Sequence, residues 1–482
     1  MQIKKTHKKP LIIEPVVVIG AGWSGLACAV TLVQQGYKVC LLESAREPGG
    51  RARSVHLKGL LANQSPEHQR VDNGQHIMLG AYHYTQNLFK ALGLKEAEIL
   101  QRLPLELPML SPENTSIHLK TLPLPAPLHL LFALLTLKGF SLVERFKTLQ
   151  MALRLSLSRY KLKQDISVLN LLTGHQQTPK IITALWEPLC LATMNTPIHY
   201  ASGQVFLNVI KDSFSRKRQD SDLIFFRFDL SHIFCTPAVQ FIKRNNSQVQ
   251  CANKVTELQI KKSLENNSLA HFFVKSNQGS YQSQVVVLAT PAHITDKLLH
   301  TSANQACYEK QSFLKPQNAS LKYCYEPICT IYMQYPTHIR LPKRMIGLFN
   351  TTGQWAIDRS LNKQPGLIAV VISGPGKHTT MSHSQLADTI HKELALVIAN
   401  LPALLEYRII TEKRATLSCR VNIERQRPTN NTLIPGLYLA GDYTDTGYPS
   451  TLEGAIKSGV MAAKQIIKTH SDFTLKEKIA KI

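Results

Sequence analysis

Gly20-Ala21-Gly22-Trp23-Ser24-Gly25 places three glycines in the pattern GxGxxG, a spacing suited to holding a diphosphate. Gly20 permits a tight turn, Gly22 lets the backbone approach a pyrophosphate, and Gly25 lets a helix pack closely on a sheet. Trp23 and Ser24 open that helix, whose first N–H groups and partial positive charge face the phosphates. Glu43 stands 18 residues beyond Gly25; a carboxylate there can accept from both hydroxyls of a ribose and would repel a 2′-phosphate. The next segment, Glu47-Pro48-Gly49-Gly50-Arg51-Ala52-Arg53, adds a second place for close backbone approach, and Arg51 and Arg53 offer charge for phosphate. Near the other end come Ala440-Gly441-Asp442 and then Tyr448-Pro449-Ser450-Thr451-Leu452-Glu453-Gly454-Ala455. Thr451 and Glu453 suit the first turn of a helix, on which Gly454, Ser458 and Ala462 share a face that tolerates close approach.

These groups need a scaffold, and the pattern supplies one. Residues 16–19 are a continuous β-branched run, the mark of a strand buried on both faces. A helix is predicted over 24–35, stopped by Gly36, and a second strand over 39–42. Further buried strands are predicted at 285–289 and 436–440, and a long helix at 451–467. The fold class is therefore α/β: a Rossmann-type dinucleotide-binding domain with an intertwined, discontinuous α+β domain that caps it. The expected division is 14–77, 235–299 and 411–470 for the nucleotide-binding domain, 78–234 and 300–410 for the cap, with 1–13 and 471–482 as flexible termini.

The GG-R-x-R stretch at 49–53 resembles the flavin-binding extension of the amine oxidase and phytoene desaturase superfamily. The strand ending in Gly441-Asp442 is similar to the segment whose aspartate holds the ribityl or pyrophosphate part of FAD in that superfamily. The resemblance implies a non-covalent FAD, since no Cys or His stands at a recognisable attachment position, and a helix from Thr451 and Leu452 to Gly454 and Ala455 beneath the isoalloxazine ring. Three more segments narrow it: Asp72-Asn73-Gly74-Gln75-His76; Trp186-Glu187-Pro188-Leu189-Cys190-Leu191-Ala192 before Asn195-Thr196-Pro197 and Phe206-Leu207-Asn208-Val209; and Gly441-Asp442-Tyr443-Thr444 leading to Tyr448. Together they resemble the hydroxysqualene dehydroxylases, FAD-dependent members of that superfamily, over about residues 15–467. That resemblance implies a lipophilic isoprenoid substrate, supplied by hydroxysqualene-forming enzymes, with Asn73, Gly74 and Gln75 beside the flavin. Loss of an allylic hydroxyl as water leaves a delocalised cation that a hydride can quench, so the protein must protonate the leaving oxygen, hold the chain and exclude water. His76 and Asp445 are the candidates for the acid or for orienting it; for His76 the alternative is a ring that satisfies backbone groups beside the flavin. The aromatic stretch 223–234 departs from the aliphatic, proline-rich character expected there and is expected to line or flank the pocket.

Two other readings share these motifs. A carotenoid-type desaturase would run the flavin oxidatively on a similar polyene. A non-catalytic prenyl-lipid-binding protein of the same fold would lack flavin, against which the set Glu43, Gly49, Gly50, Arg51, Gly441 and Asp442 argues. No second GxGxxG follows a strand, so a dedicated NAD(P)H domain is not expected and the electron donor stays open.

With 482 residues, 44% hydrophobic and 18% charged, the composition is globular. The net charge of +24 favours anionic partners; with no nucleic-acid-binding motif beside it, an anionic membrane surface is the expected one. Residues 128–137 form the longest apolar run, about half of what a membrane span needs. Followed by the basic stretch 145–163, it is expected either to contact a membrane surface or to form ordinary core helices. Nine scattered cysteines with no CxxC pair suit a reducing cytoplasm. No metal site is expected.

Overall fold

In a computed structural model of the chain, the residues described are 14–57, 70–113, 115–261, 270–306, 321 and 323–479. The N-terminal 1–13 and Cys307 lie outside them.

The four predicted buried strands assemble into one parallel sheet, and an unpredicted edge strand, Gln248–Gln250, makes it five, ordered Gln248–Gln250, Val39–Leu42, Val16–Ile19, Val286–Leu288 and Leu437–Leu439. Val17 lies between Cys40 and Val286, and Val286 between Val17 and Leu437, so three distant parts of the chain are fixed in one register. All four residues of Val16–Ile19 are buried, as a strand covered on both faces requires. The Trp23–Gln34 helix packs on the Leu452–Ile479 helix at Gly459, where a Cβ would stand 2.0 Å from the Ser24 carbonyl oxygen. Only glycine allows that approach.

A second, mostly antiparallel sheet has seven strands in the order Glu406–Leu417, Tyr325–Gln334, Leu367–Ser373, Trp355–Asp358, Met345–Leu348, Glu106–Leu110 and Ser116–Lys120. Its first strand corrects the expected boundary at 411. Residues 411–417 belong to this sheet because Thr411 and Leu417 pair with Cys329 and Tyr325. The C-terminal helix also runs farther than expected, from Leu452 to Ile479. The eight described cysteines are free thiols. Among the described residues, no helix is long and apolar enough to cross a membrane.

The aromatic segment forms the strand Leu223–Phe226, buried throughout. Leu223 and Phe225 line a cavity of about 600 Å³, within the usual range for ligand pockets. Its wall is mixed: Leu103, Leu105 and Met345 beside Lys120, Arg340 and Arg344.

Candidate cofactor and active site

The glycine-rich turn closes as its spacing requires. Gly20 has φ +105°, and a Cβ on Gly25 would lie 1.9 Å from the Gly20 carbonyl oxygen. Gly22 differs: its φ is −69°, and a Cβ there would meet nothing within 4 Å. The turn therefore leaves open space over Gly22, the one glycine read as the point of pyrophosphate approach. Ser24 Oγ, in the first turn of the helix, is buried without a hydrogen-bond partner, as is Thr330 Oγ1. A Cβ on Gly74 would lie 3.9 Å from that Thr330 oxygen. Buried hydroxyls are rarely left unpaired, and an open cradle with orphaned hydroxyls fits a bound dinucleotide.

The predicted segments meet around that space. Gly49 N–H donates to the Ala21 carbonyl at 2.8 Å, and Gly50 approaches Gly22, with a built Cβ 3.2 Å from its Cα. Glu43 is buried; its Oε2 accepts from Ala21 N at 2.6 Å and its Oε1 from Ala45 N at 2.8 Å and Ser44 Oγ at 3.2 Å, which leaves Oε2 a lone pair for a ribose hydroxyl. Arg51 pairs with Asp442 at 2.5 Å and donates to the Ala415 carbonyl at 2.9 Å. Burial alone would lower the Arg51 guanidinium, but Asp442 outweighs it and holds the group above its ordinary value. Asn73 Nδ2 reaches the Arg51 carbonyl at 3.2 Å.

Several side chains in these segments spend their hydrogen bonds on the protein itself. The Trp23 indole is in the core, donating to the Ala52 carbonyl at 2.8 Å and packed on Phe234, so only its backbone is left for a phosphate. Arg53 folds back onto the Gly50 carbonyl at 2.7 Å and braces the turn. Thr451 does cap its helix, accepting from Gly454 N at 3.1 Å, with Leu452 buried and Ala455 half-buried behind it. Glu453 does not serve its own helix. Its carboxylate accepts from Tyr84 N, Thr85 N and Thr85 Oγ1 at 2.7–2.9 Å, capping the His83–Ala91 helix. Burial raises the Glu453 carboxyl against those donors.

The loop from Asp442 to Tyr448 is held by residues that sequence reading missed. Arg427, fully buried, donates to the Asp442 carbonyl at 2.6 Å and the Tyr448 carbonyl at 2.5 Å. Lys457 donates to the Thr446 carbonyl at 2.7 Å and lies over the Tyr448 ring. Asn208 donates to the Gly447 carbonyl at 3.0 Å, and the Tyr448 hydroxyl donates to Asp212 at 2.5 Å. Arg359, also buried, donates to Gln75 Oε1 and Gln364 Oε1 behind the Asn73–His76 turn. Nearby Asp72 is pushed up to about 6 by burial, opposed by Arg359. No periodic pattern marks these arginines: Arg427 finds its acceptors in the loop 15–21 residues on, and Arg359 reaches back 284 residues to Gln75.

The two candidate acids are placed unequally. His76 Nδ1 lies 2.6 Å from the Gly74 carbonyl, which makes Nδ1 the protonated nitrogen and leaves Nε2 as an acceptor. Burial lowers its pKa, opposed by that hydrogen bond. A neutral ring of this kind can orient a hydroxyl but is ill suited to donate a proton. Asp445 has an exposed side chain on the same loop as Asp442.

The Trp186–Pro197 segment is a joint. Asn195, at φ +50°, donates to Thr416 Oγ1 at 2.8 Å and accepts from Gly374 N at 2.7 Å, tying its helix to the seven-stranded sheet. Among the described residues no group of His, Cys, Asp or Glu could hold a metal.

A parallel sheet that opens on a glycine-rich cradle, closed by two more glycine-bearing segments, is the architecture of a dinucleotide-binding unit. Residues 23–467 match the family model for flavin-containing amine oxidoreductases, and the chain belongs to that family. It is 25% identical over 465 residues to hydroxysqualene dehydroxylase of Zymomonas mobilis, covering 92% of this chain and 97% of that one. It is 26% identical to the enzyme of the same name from Rhodopseudomonas palustris, covering 94% and 98%. A 15-cis-phytoene desaturase of an Oncidium hybrid is 24% identical, covering 96% of this chain and 79% of its own. The fold is that of cyclohexylamine oxidase from Brevibacterium oxydans, with TM-score 0.68, 13% identity, and coverage of 95% and 99%.

Proposed function

We propose that the protein binds FAD non-covalently and removes the hydroxyl of hydroxysqualene reductively, giving squalene and water. The observation that carries the redox half is the convergence of three remote segments, at Gly22, Gly49–Gly50 and Asp442, on one open cradle. In the substrate half, the similarity to hydroxysqualene dehydroxylases runs the length of both chains, 97–98% of theirs. The phytoene desaturases are matched over 78–81% of theirs.

Gly22, Ser24, Gly49 and Gly50 would hold the pyrophosphate, Glu43 the adenosine ribose, and Arg51 with Asp442 the ribityl–phosphate region. When bound and reduced, FAD supplies a hydride equivalent. The allylic C–O bond breaks, the oxygen leaves as water with a proton, and a C–H bond replaces it. Nε2 of His76 is the atom suited to accept a hydrogen bond from the substrate hydroxyl and orient it. The apolar part of the cavity wall, Leu103, Leu105, Leu223 and Phe225, offers a surface to a hydrocarbon chain.

The test is anaerobic incubation of the reduced, flavin-loaded protein with hydroxysqualene and, separately, of the oxidised protein with phytoene. Squalene in the first arm is expected; a desaturated product in the second arm alone would transfer the protein to the desaturases. A purified protein that is colourless and takes up no flavin would reject both. Turnover by His76→Ala and Asp445→Ala variants assigns the roles at the leaving oxygen: a fall is expected for His76→Ala, and full activity in both variants removes both residues from the chemistry.

A further inference from the structure

The Leu142–Leu157 helix has two apolar faces. One carries Thr148, Met151 and Leu155, all buried; Thr148 Oγ1 meets Gln177 Oε1 at 2.9 Å, which also takes the Trp186 indole N–H at 3.1 Å. The other carries Leu142, Val143, Phe146, Leu153 and Leu157, whose exposure is 60–79%. At about 100° per residue, these five occupy an arc of about 100° centred about 160° from the buried face. An amphipathic helix on a protein surface normally turns polar residues outward there.

The preceding Leu128–Leu135 helix, which packs on it, repeats the feature. Leu128, Phe132 and Leu135 form one exposed stripe at i, i+4 and i+7. With Leu122, nine of the thirteen exposed large hydrophobic side chains among the described residues fall within 122–157. So dense a patch marks an interaction site.

Charge identifies the occupant. Arg145 flanks one edge of the exposed arc, and Lys147 and Arg154 flank the other; Arg159, Lys161 and Lys163 follow the helix. From 121 to 163 there are seven Lys or Arg and one acid, Glu144, whose oxygens are engaged by Ser141 N and Thr178 Oγ1. A second copy of a chain carrying +24 would meet this surface with like charge. Apolar side chains rimmed by unbalanced cations match the boundary between acyl chains and anionic headgroups.

We propose that these two helices seat the protein on an anionic lipid bilayer, the apolar stripe in the headgroup–acyl boundary and the flanking cations against lipid phosphates. The inference stands on this surface alone and holds whatever substrate the active site takes.

The test is flotation of the flavin-loaded full chain with vesicles of phosphatidylcholine containing about one-third phosphatidylglycerol, and with phosphatidylcholine alone. The wild-type protein is expected to float with the anionic vesicles, and raised salt to weaken it. The combined variant Leu142→Ser, Phe146→Ser, Leu153→Ser and Leu157→Ser is expected to lose binding by at least about tenfold while unfolding at the wild-type temperature. Arg154→Glu with Lys147→Glu is expected to remove the preference for anionic lipid, and the control Leu405→Ser with Leu433→Ser to float as the wild type does. Failure of the wild type to float, or unchanged flotation of the fourfold variant, overturns the proposal. So does a wild-type oligomer that ignores vesicles and that the fourfold variant dissociates, which would make the occupant a second copy.

Discussion

Two glycines of one turn, Gly22 and Gly25, separate cofactor binding from folding. Gly22 has a backbone conformation open to any residue, and a Cβ there meets nothing within 4 Å. Gly22→Ala therefore adds a methyl without a clash. Alanine gains about 0.4–1 kcal/mol by restricting the unfolded chain and loses a comparable amount as a poorer helix N-cap, so stability should stay within about 1 kcal/mol of wild type. The same methyl points into the open space over the turn. Holding a pyrophosphate off by that distance forfeits at least two backbone hydrogen bonds to a charged group, each worth about 1.5–3 kcal/mol, so FAD affinity should fall by at least about 100-fold. Gly25→Ala inverts the pattern. Its Cβ would stand 1.9 Å from the Gly20 carbonyl oxygen, an overlap the backbone must move to relieve, at a cost of at least about 3 kcal/mol. The assays are thermal unfolding of the flavin-free proteins and titration with FAD followed by flavin fluorescence. Wild-type FAD affinity in Gly22→Ala would show that the space over Gly22 is not the phosphate site, and an unfolding temperature lowered as far as that of Gly25→Ala would refute the geometric argument itself.

Glu453→Gln keeps the side-chain shape but puts an amide N–H against backbone donors at Tyr84 or Thr85, at a helix N-terminus; a loss of about 2–4 kcal/mol is expected in thermal or denaturant unfolding. Asp72 contributes a pH dependence of known sign. Its folded pKa, about 6, lies above the unfolded value of about 3.9, so the native state binds the extra proton. Stability from this group is present below pH about 4 and is lost as pH rises to about 6. The difference in unfolding free energy between wild type and Asp72→Asn should therefore shift in favour of Asn across that window and level off above it; a constant difference would contradict the assignment. Asn195→Ala removes hydrogen bonds to Thr416 and Gly374 and leaves a residue ill suited to φ +50°, so a loss of at least about 3 kcal/mol is expected on unfolding.

The sequence alone determined those features whose physics is local. A β-branched run ending in glycine reads as a buried strand before a tight turn, and GxGxxG with Glu43 after the next strand is intelligible within thirty residues of chain. The same holds for Thr451, whose hydroxyl needs only the N–H three residues on. What tertiary structure decided is where long side chains spend their hydrogen bonds. Arg53 stands beside the ligand site in sequence, yet its guanidinium finds Gly50, and the Trp23 indole finds Ala52 and Phe234 while its backbone opens the helix. Glu453 fits its own helix by position but caps another, because Tyr84 and Thr85 offer it three donors at once. Arg427 and Arg359 carry no local signal at all. A buried guanidinium is stable only where several acceptors converge; Arg427 finds its acceptors 15 and 21 residues on, at Asp442 and Tyr448, and Arg359 reaches Gln75 across 284 residues, and these irregular loops take their places only after the sheets have formed.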